Sequence, residues 1–248
     1  PMDKVMETTG SSIFSDVLPV RPSLCLAGFV VFGLFFTDAN AVDRIKANNN
    51  NNLNLTSSWV GGALPDSRNM AVWTNTVVGA NTAALGANMT WLGIRIADPG
   101  GIVTISPGHT LTLRAGQTGT SIDMSAATQD LTIQSSLTLQ TAVGQFWNIA
   151  AGRTLTLNTG TITRGTGATL NLQGAGTVNA SALSNDATGI LGPWATIGTG
   201  TSARFAMKDG SNNLVAFTGG TAAATAANVT DTTGTVNYDV AAVGTLGT

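Results

Sequence analysis

Charge is scarce in this chain of 248 residues. Asp, Glu, Lys and Arg make up 10% of it, against about 25% in an average soluble domain. Lys and Arg number 11, Asp and Glu 13, and the net charge is −2. No basic cluster occurs, which removes the electrostatic case for nucleic acid or an anionic membrane surface as a partner. Cysteine occurs once, as Cys25, so no intrachain disulfide can form. Histidine also occurs once, as His109. No His/Cys cluster could hold zinc, and no Ser/His/Asp set is apparent. Proline is limited to 7 residues, and the 30 glycines follow no collagen-like period. Thr, Ala, Gly and Asn fill the space left by charge. The length suits one long all-β domain or two smaller ones, and is enough to bury a sizeable core.

A short phrase recurs in what remains. Gly-His-Thr-Leu-Thr-Leu occupies 108–113, Gly-Arg-Thr-Leu-Thr-Leu 152–157 and Gly-Ala-Thr-Leu-Asn-Leu 167–172. Each is a turn residue followed by strict polar/apolar alternation, the pattern of a strand with one buried face. Strands are expected at 91–96, 102–105, 110–113, 131–133, 137–139, 146–149, 154–157, 169–172 and 177–179. Dense turn signals separate them, and no useful helical period intervenes, so the fold class is all-β. Leu111, Leu131, Leu155 and Leu170 are 20, 24 and 15 residues apart. The first two intervals suit one coil each of a parallel β-helix, or β-solenoid, and the third a tighter rung or a hairpin, so the rungs are irregular. Leu is expected to point inward and Thr outward.

The N-terminal region reads as an export signal. Residues 24–36 form an unbroken apolar run, too short to span a membrane as a helix. Arg21 provides the positive flank, and Ala39-Asn40-Ala41 an Ala-x-Ala cleavage site with Ala39 and Ala41 as its small residues. Residues 1–41 are therefore expected to be a helical signal segment. Cys25 falls at the start of the apolar run rather than after it, which argues against a lipoprotein. Residues 42–58, with five consecutive asparagines from Asn48 to Asn52, are expected to be a disordered tether. The solenoid is expected over 59–182. Trp59, Trp73 and Trp91 are read as a cap on its open end rather than a sugar-stacking platform. Residues 183–248 are expected to be a further β-rich segment with a hairpin over 203–218, followed by Gly/Ala/Thr-rich loops at 219–228, a weak strand at 236–243 and a truncated end.

The residues 121–133, Ser-Ile-Asp-Met-Ser-Ala-Ala-Thr-Gln-Asp-Leu-Thr-Ile, resemble the autotransporter-associated β-strand repeat proteins of bacteria. So do 145–157, the phrase Gly-Ile-Leu-Gly-Pro-Trp-Ala-Thr at 189–196, and the opening with Trp59, Gly61, Gly62, Pro65 and Ala71-Val72. The resemblance covers roughly 59–200. It implies a parallel β-helix stalk of a secreted or cell-surface protein, associated with the outer membrane of a Gram-negative-type bacterium. Many members end in an outer-membrane barrel or a sorting anchor. The family supplies no catalytic residues.

Chemistry-bearing residues are few. His109 falls between a turn and a strand. Asp98, Asp123, Asp130, Asp186, Asp209 and Asp231 mostly fall at turns, where Asp bonds its own backbone. The pair Asp123 and Asp130, with Arg153, is the best available set for acid–base work on a polysaccharide. Calcium repeats are absent, and Gly165-Thr166-Gly167 lacks the Lys-Ser/Thr of a phosphate cradle. The leading expectation is a non-enzymatic structural stalk or passenger region, with no cofactor, no metal and no catalytic residue, and with extracellular glycans as partners. Membrane contact would run only through the signal segment or a C-terminal anchor. The alternatives are a polysaccharide-active β-helix enzyme, and an adhesive or ice- or glycan-binding solenoid with Thr110/Thr112 and Thr154/Thr156 on one flat face.

Overall fold

A computed structural model describes residues 42–116, 119–158, 160–223, 228–231, 233–234 and 236–240. The signal segment, including Ala39 and Ala41, lies outside the described residues. The described chain is a parallel β-solenoid of about six turns. A short opening strand, β1 (Arg44–Ile45), leads into coils of three strands each. They are β2 (Met70–Trp73), β3 (Asn81–Ala84) and β4 (Met89–Trp91), then β5 (Gly93–Ile96), β6 (Val103–Ser106) and β7 (Thr110–Leu113). The third coil is β8 (Thr120–Met124), β9 (Leu131–Ile133) and β10 (Ser136–Leu139). The fourth is β11 (Gly144–Ile149), β12 (Thr154–Leu157) and β13 (Ile162–Arg164). The strands β14 (Thr169–Gly174), β15 (Thr177–Ala180) and β16 (Ala195–Ile197) complete the stack.

Successive coils pair in parallel and form three faces. A long sheet has the order β1-β2-β5-β8-β11-β14-β16, a five-stranded sheet β15-β12-β9-β6-β3 and a four-stranded sheet β13-β10-β7-β4. The inward column of the long sheet runs Ala71, Ile94, Ile122, Trp147, Leu172, Ile197, each the register partner of the next. The coils in that column are 23, 28, 25, 25 and 25 residues long. The five-stranded sheet stacks Val103, Leu131, Leu155 and Val178, and the four-stranded sheet Leu111 on Leu137. Strict alternation thus sends every second residue into one continuous apolar column, where a buried Leu or Ile contributes about 1.5–3 kcal/mol.

The Leu spacing has a different meaning from the one expected. Leu131 and Leu155 are partners one coil apart. Leu111 sits on the four-stranded face and pairs with Leu137, while Leu170 belongs to the long sheet. The recurring phrase therefore marks all three faces, and its short interval is the part of a coil that runs from β12 through β13 to β14, not a tight rung. The stretch 91–96 likewise divides into β4 and β5 at a corner, Leu92.

One polar cluster interrupts the core. Ser121 and Gln145 are 0% and 1% exposed. The Ser121 hydroxyl donates to Gln145 Oε1 and accepts from Trp147 Nε1. Gln145 Nε2 donates to the Leu113 carbonyl, tying the long sheet to the four-stranded one. Ser121 is accommodated by a register shift between Phe146 and Trp147, a bulge that adds one residue to β8.

The asparagine run is not a free tether. Asn50 Oδ1 accepts from Asn81 Nδ2 and the Thr82 amide, Asn81 Nδ2 also donates to the Asn49 carbonyl, and Asn48 Oδ1 accepts from the Val78 amide. Leu53 donates its amide to Ala84. The composition argument failed here because amide side chains replaced apolar burial: Asn50 satisfies the Thr82 amide at the open edge of β3, and Asn48 the Val78 amide before it. Leu53 and Trp59, both buried, anchor the segment. The three tryptophans form one buried edge-on cluster at the first coil, as expected of a cap. Trp59 lies edge-on to Trp73 and Trp91, with ring centroids 5.8 and 5.9 Å apart. All three are at most 2% exposed, which removes them as a stacking platform.

At the other end the chain reverses. The expected hairpin is β17 (Arg204–Lys208) and β18 (Leu214–Ala216), antiparallel to each other, and β17 is antiparallel to β16. The loop expected over 219–228 contains β19 (Thr221–Ala223), which pairs in parallel with β20 (Tyr238–Val240).

Candidate functional site

The expected acid–base pair separates into two structural roles. Asp123, on β8, accepts from Arg95 Nε at 3.0 Å and from the amide and hydroxyl of Ser125. Burial alone would push its carboxyl up, but the bonds from Ser125 and Arg95 outweigh it and hold the carboxyl below its ordinary value. Arg95 also bonds Asp43 at 2.8 Å, so the two acids share one guanidinium. Asp130 instead caps the start of β12, accepting from the Thr154 amide, with Arg153 at 3.7 Å. Arg153 donates to the Thr128 carbonyl. Each carboxylate therefore has its own partners and holds one coil to the next.

The remaining candidates also have turn or surface roles. Asp98 accepts from Asn75, Asp209 from the amides of Ser211 and Asn213, and Asp231 from Thr233 and Val236. The Thr188 hydroxyl and nearby amides of Thr188, Ile190 and Gly189 hold the Asp186 carboxyl below its ordinary value. His109 is exposed in the bend before β7. Among the described residues no group of three or more His, Cys, Asp or Glu could hold a metal ion.

The threonine pairs point outward but occupy two faces, not one. Thr110 and Thr112 are on the four-stranded sheet, and Thr154 and Thr156 on the five-stranded sheet. Each belongs to a ladder. On the four-stranded face Thr90, Thr112, Thr138 and Thr163 are in register, and beside them Thr110 pairs with Ser136. Asn88 accepts from the Thr110 amide and Ser136 from the Thr161 amide, extending the second column to both ends. The two outward columns of this face are thus uncharged hydroxyls with one amide, and Arg164 is exposed at the end of β13 beside them. On the five-stranded face Thr82, Thr104, Thr132 and Thr156 form a column that ends in Asn179.

Sequence reading missed a cavity at the C-terminal end. It measures about 210 Å³, and its lining includes Thr196, Arg204, Phe205, Phe217, Thr218 and Tyr238. The available signal was an aromatic in each expected hairpin strand, Phe205 and Phe217. Sequence reading also missed Lys46, which is 0% exposed. Its ammonium donates to the Ala47 carbonyl and to both the backbone and side-chain oxygens of Asn49.

The stacked faces define a parallel β-solenoid with outward polar ladders. No protein-family model, curated protein or solved structure matches the chain.

Proposed function

We propose that the chain is a non-enzymatic stalk or passenger region of a secreted or cell-surface protein from a Gram-negative-type bacterium. The observation that carries this reading is the continuous parallel stack of coils, kept in register but for the one bulge at Ser121. An apolar column fills the inside, and the outward positions of two faces are mostly Thr with Ser and Asn. Such a body is a rigid spacer whose backbone hydrogen bonds run from coil to coil, and its polar ladders hydrate it without charge. The likeness to autotransporter-associated repeats supports the same reading. The test is to incubate the purified full chain with a panel of polysaccharides and follow new reducing ends, while protease shaving of intact source cells reports its location. No cleavage and loss of the chain on shaving are expected. Released fragments would favour the β-helix enzyme.

A second reading is a binding solenoid. The two-column array on the four-stranded face favours it, because side chains there repeat at about 4.8 Å across strands and about 6.7 Å along them. A flat array of hydroxyls and methyls at regular spacing suits an ordered lattice such as ice. Ice-affinity partitioning of the full chain tests it: exclusion from the ice to the same degree as serum albumin removes the reading.

A further inference from the structure

Four asparagines open the acceptor pattern Asn-x-Ser/Thr for an N-linked sugar, none with proline in the middle: Asn54, Asn88, Asn179 and Asn228. In a chain this rich in Asn and Thr the pattern arises easily, so the fold has to choose among them. A site of this kind needs a carboxamide nitrogen open to solvent and a hydroxyl two residues on that reaches the same side. Three of the four fail. Asn179 Nδ2 donates to the Ser211 carbonyl and to Asn213 Oδ1, and a sugar there would displace these bonds. The Asn54 carboxamide oxygen is buried against Gly86, and Thr56 lies in a helical turn rather than an extended segment. Asn228 is not free either.

Asn88 meets both conditions. It is exposed and stands immediately before β4. Met89, between it and Thr90, is the register partner of the buried Leu111. Alternation along the strand therefore puts Asn88 and Thr90 together on the outer side, and Thr90 is exposed as well. Asn88 Oδ1 accepts from the Thr110 amide at 2.9 Å. That bond pins the oxygen to the sheet and turns Nδ2 away from it. Among the described residues Nδ2 has no hydrogen-bond partner, so a sugar on it displaces nothing. An N-linked sugar also leaves the carboxamide oxygen in place, and the bond to Thr110 survives the modification.

We infer that Asn88 is an N-glycosylation site, taking its sugar from a glycosyl diphosphate donor, either a nucleotide sugar or a lipid-linked saccharide. A bond forms between Asn88 Nδ2 and the sugar C1. The bond from C1 to the diphosphate oxygen breaks, its electron pair leaves with the diphosphate, and Nδ2 gives up one proton to the transferase. The sugar stands at the end of the outward column Asn88, Thr110, Ser136, beside β4, the edge strand of the four-stranded sheet. A solvated sugar in that place hinders another chain from adding a strand to the edge. The assignment rests on the secreted or cell-surface reading, because N-linked sugars mark surface positions of exported proteins.

Peptide mapping by mass spectrometry of the full chain purified from source cells tests the assignment. The peptide carrying Asn88 is expected to bear sugar, and those carrying Asn54 and Asn179 none. A single hexose identifies a nucleotide sugar as the donor, and a preassembled oligosaccharide a lipid-linked one. Thr90→Ser is expected to keep the sugar and Thr90→Val to lose it, since only Ser retains the hydroxyl. Thr90 is exposed, and unchanged thermal melts confirm folding. Should Thr90→Val unfold, Thr90→Ala takes its place. A bare Asn88 peptide from the parent chain overturns the assignment, as does a sugar that survives Thr90→Val or that sits on Asn179 instead. Protease shaving reports location separately: a chain lost on shaving with Asn88 bare overturns the site and leaves the cell-surface reading standing.

Discussion

The Lys46 ammonium lies 2.6 Å from the backbone carbonyl oxygen of Asn49, and no part of Lys46 reaches solvent. Burial lowers its pKa from 10.5 to about 8. The folded chain thus releases this proton near pH 8, while the unfolded chain holds it to about 10.5. Between those values the unfolded state binds more protons, so stability must rise with pH there. The three carbonyl acceptors favour the charged form and limit the effect. A gain of about 1–3 kcal/mol between pH 7.5 and 10 is expected in urea unfolding, and it should be absent in Lys46→Met. A flat profile in the parent chain contradicts it.

Alternation along β7 makes neighbouring residues unequal. Leu111 is 0% exposed between Met89 and Leu137, whereas Thr112 stands on the outer ladder. Leu111→Ala should cost about 2–5 kcal/mol, the usual range for a buried Leu truncation. Thr112→Ala should cost less than about 1 kcal/mol, since it removes only a surface β-branched contact. Denaturant midpoints of the two variants check this. Comparable losses would mean that the outer ladder packs against something else.

Glycine positions divide in the same way. Gly174 has φ +82°, and a Cβ there would collide with the Ile149 carbonyl of the coil below. Gly210, in the hairpin turn, has open space around it and no positive φ. Gly174→Ala is therefore expected to destabilise by more than about 2 kcal/mol, combining left-handed strain with a backbone clash. Gly210→Ala should stay within about 0.5 kcal/mol. Thermal melts of the pair suffice to separate them.

The strands at Thr110–Leu113, Leu131–Ile133 and Thr154–Leu157 were legible in sequence because period-2 alternation with flanking turns has one physical reading. The face each strand occupies was not legible. Thr-Leu-Thr-Leu at β7 and at β12 is the same string, and only the lengths of the intervening corners place one on the four-stranded and the other on the five-stranded sheet. The asparagine cap escaped for a different reason. Composition measures apolar burial, and Asn50 is held by amide-to-amide bonds to Asn81 that composition does not count. The cavity was invisible because Phe205 and Tyr238, far apart in sequence, meet only when β20 lies beside the hairpin end.

The triad Asp43–Arg95–Asp123 should govern the acid limb of stability. Asp123 has 21% of its side chain exposed and takes three hydrogen bonds, two from Ser125 and one from Arg95. Asp43 is 42% exposed, and its one hydrogen bond among the described residues comes from Arg95. Because the folded Asp123 carboxyl sits below its ordinary value, the unfolded state binds more protons in acid. Its contribution is present above the ordinary carboxylate range and disappears as pH falls through the folded value. Asp123→Asn should cost about 1 kcal/mol at pH 7 and flatten the loss of stability below about pH 4. Asp43→Asn should cost less than about 0.5 kcal/mol, as exposed ion pairs do. Urea unfolding at pH 7 and at pH 3 compares the two variants. An equal cost for both at pH 7 would show that Arg95, rather than the Ser125 turn, is what Asp123 depends on.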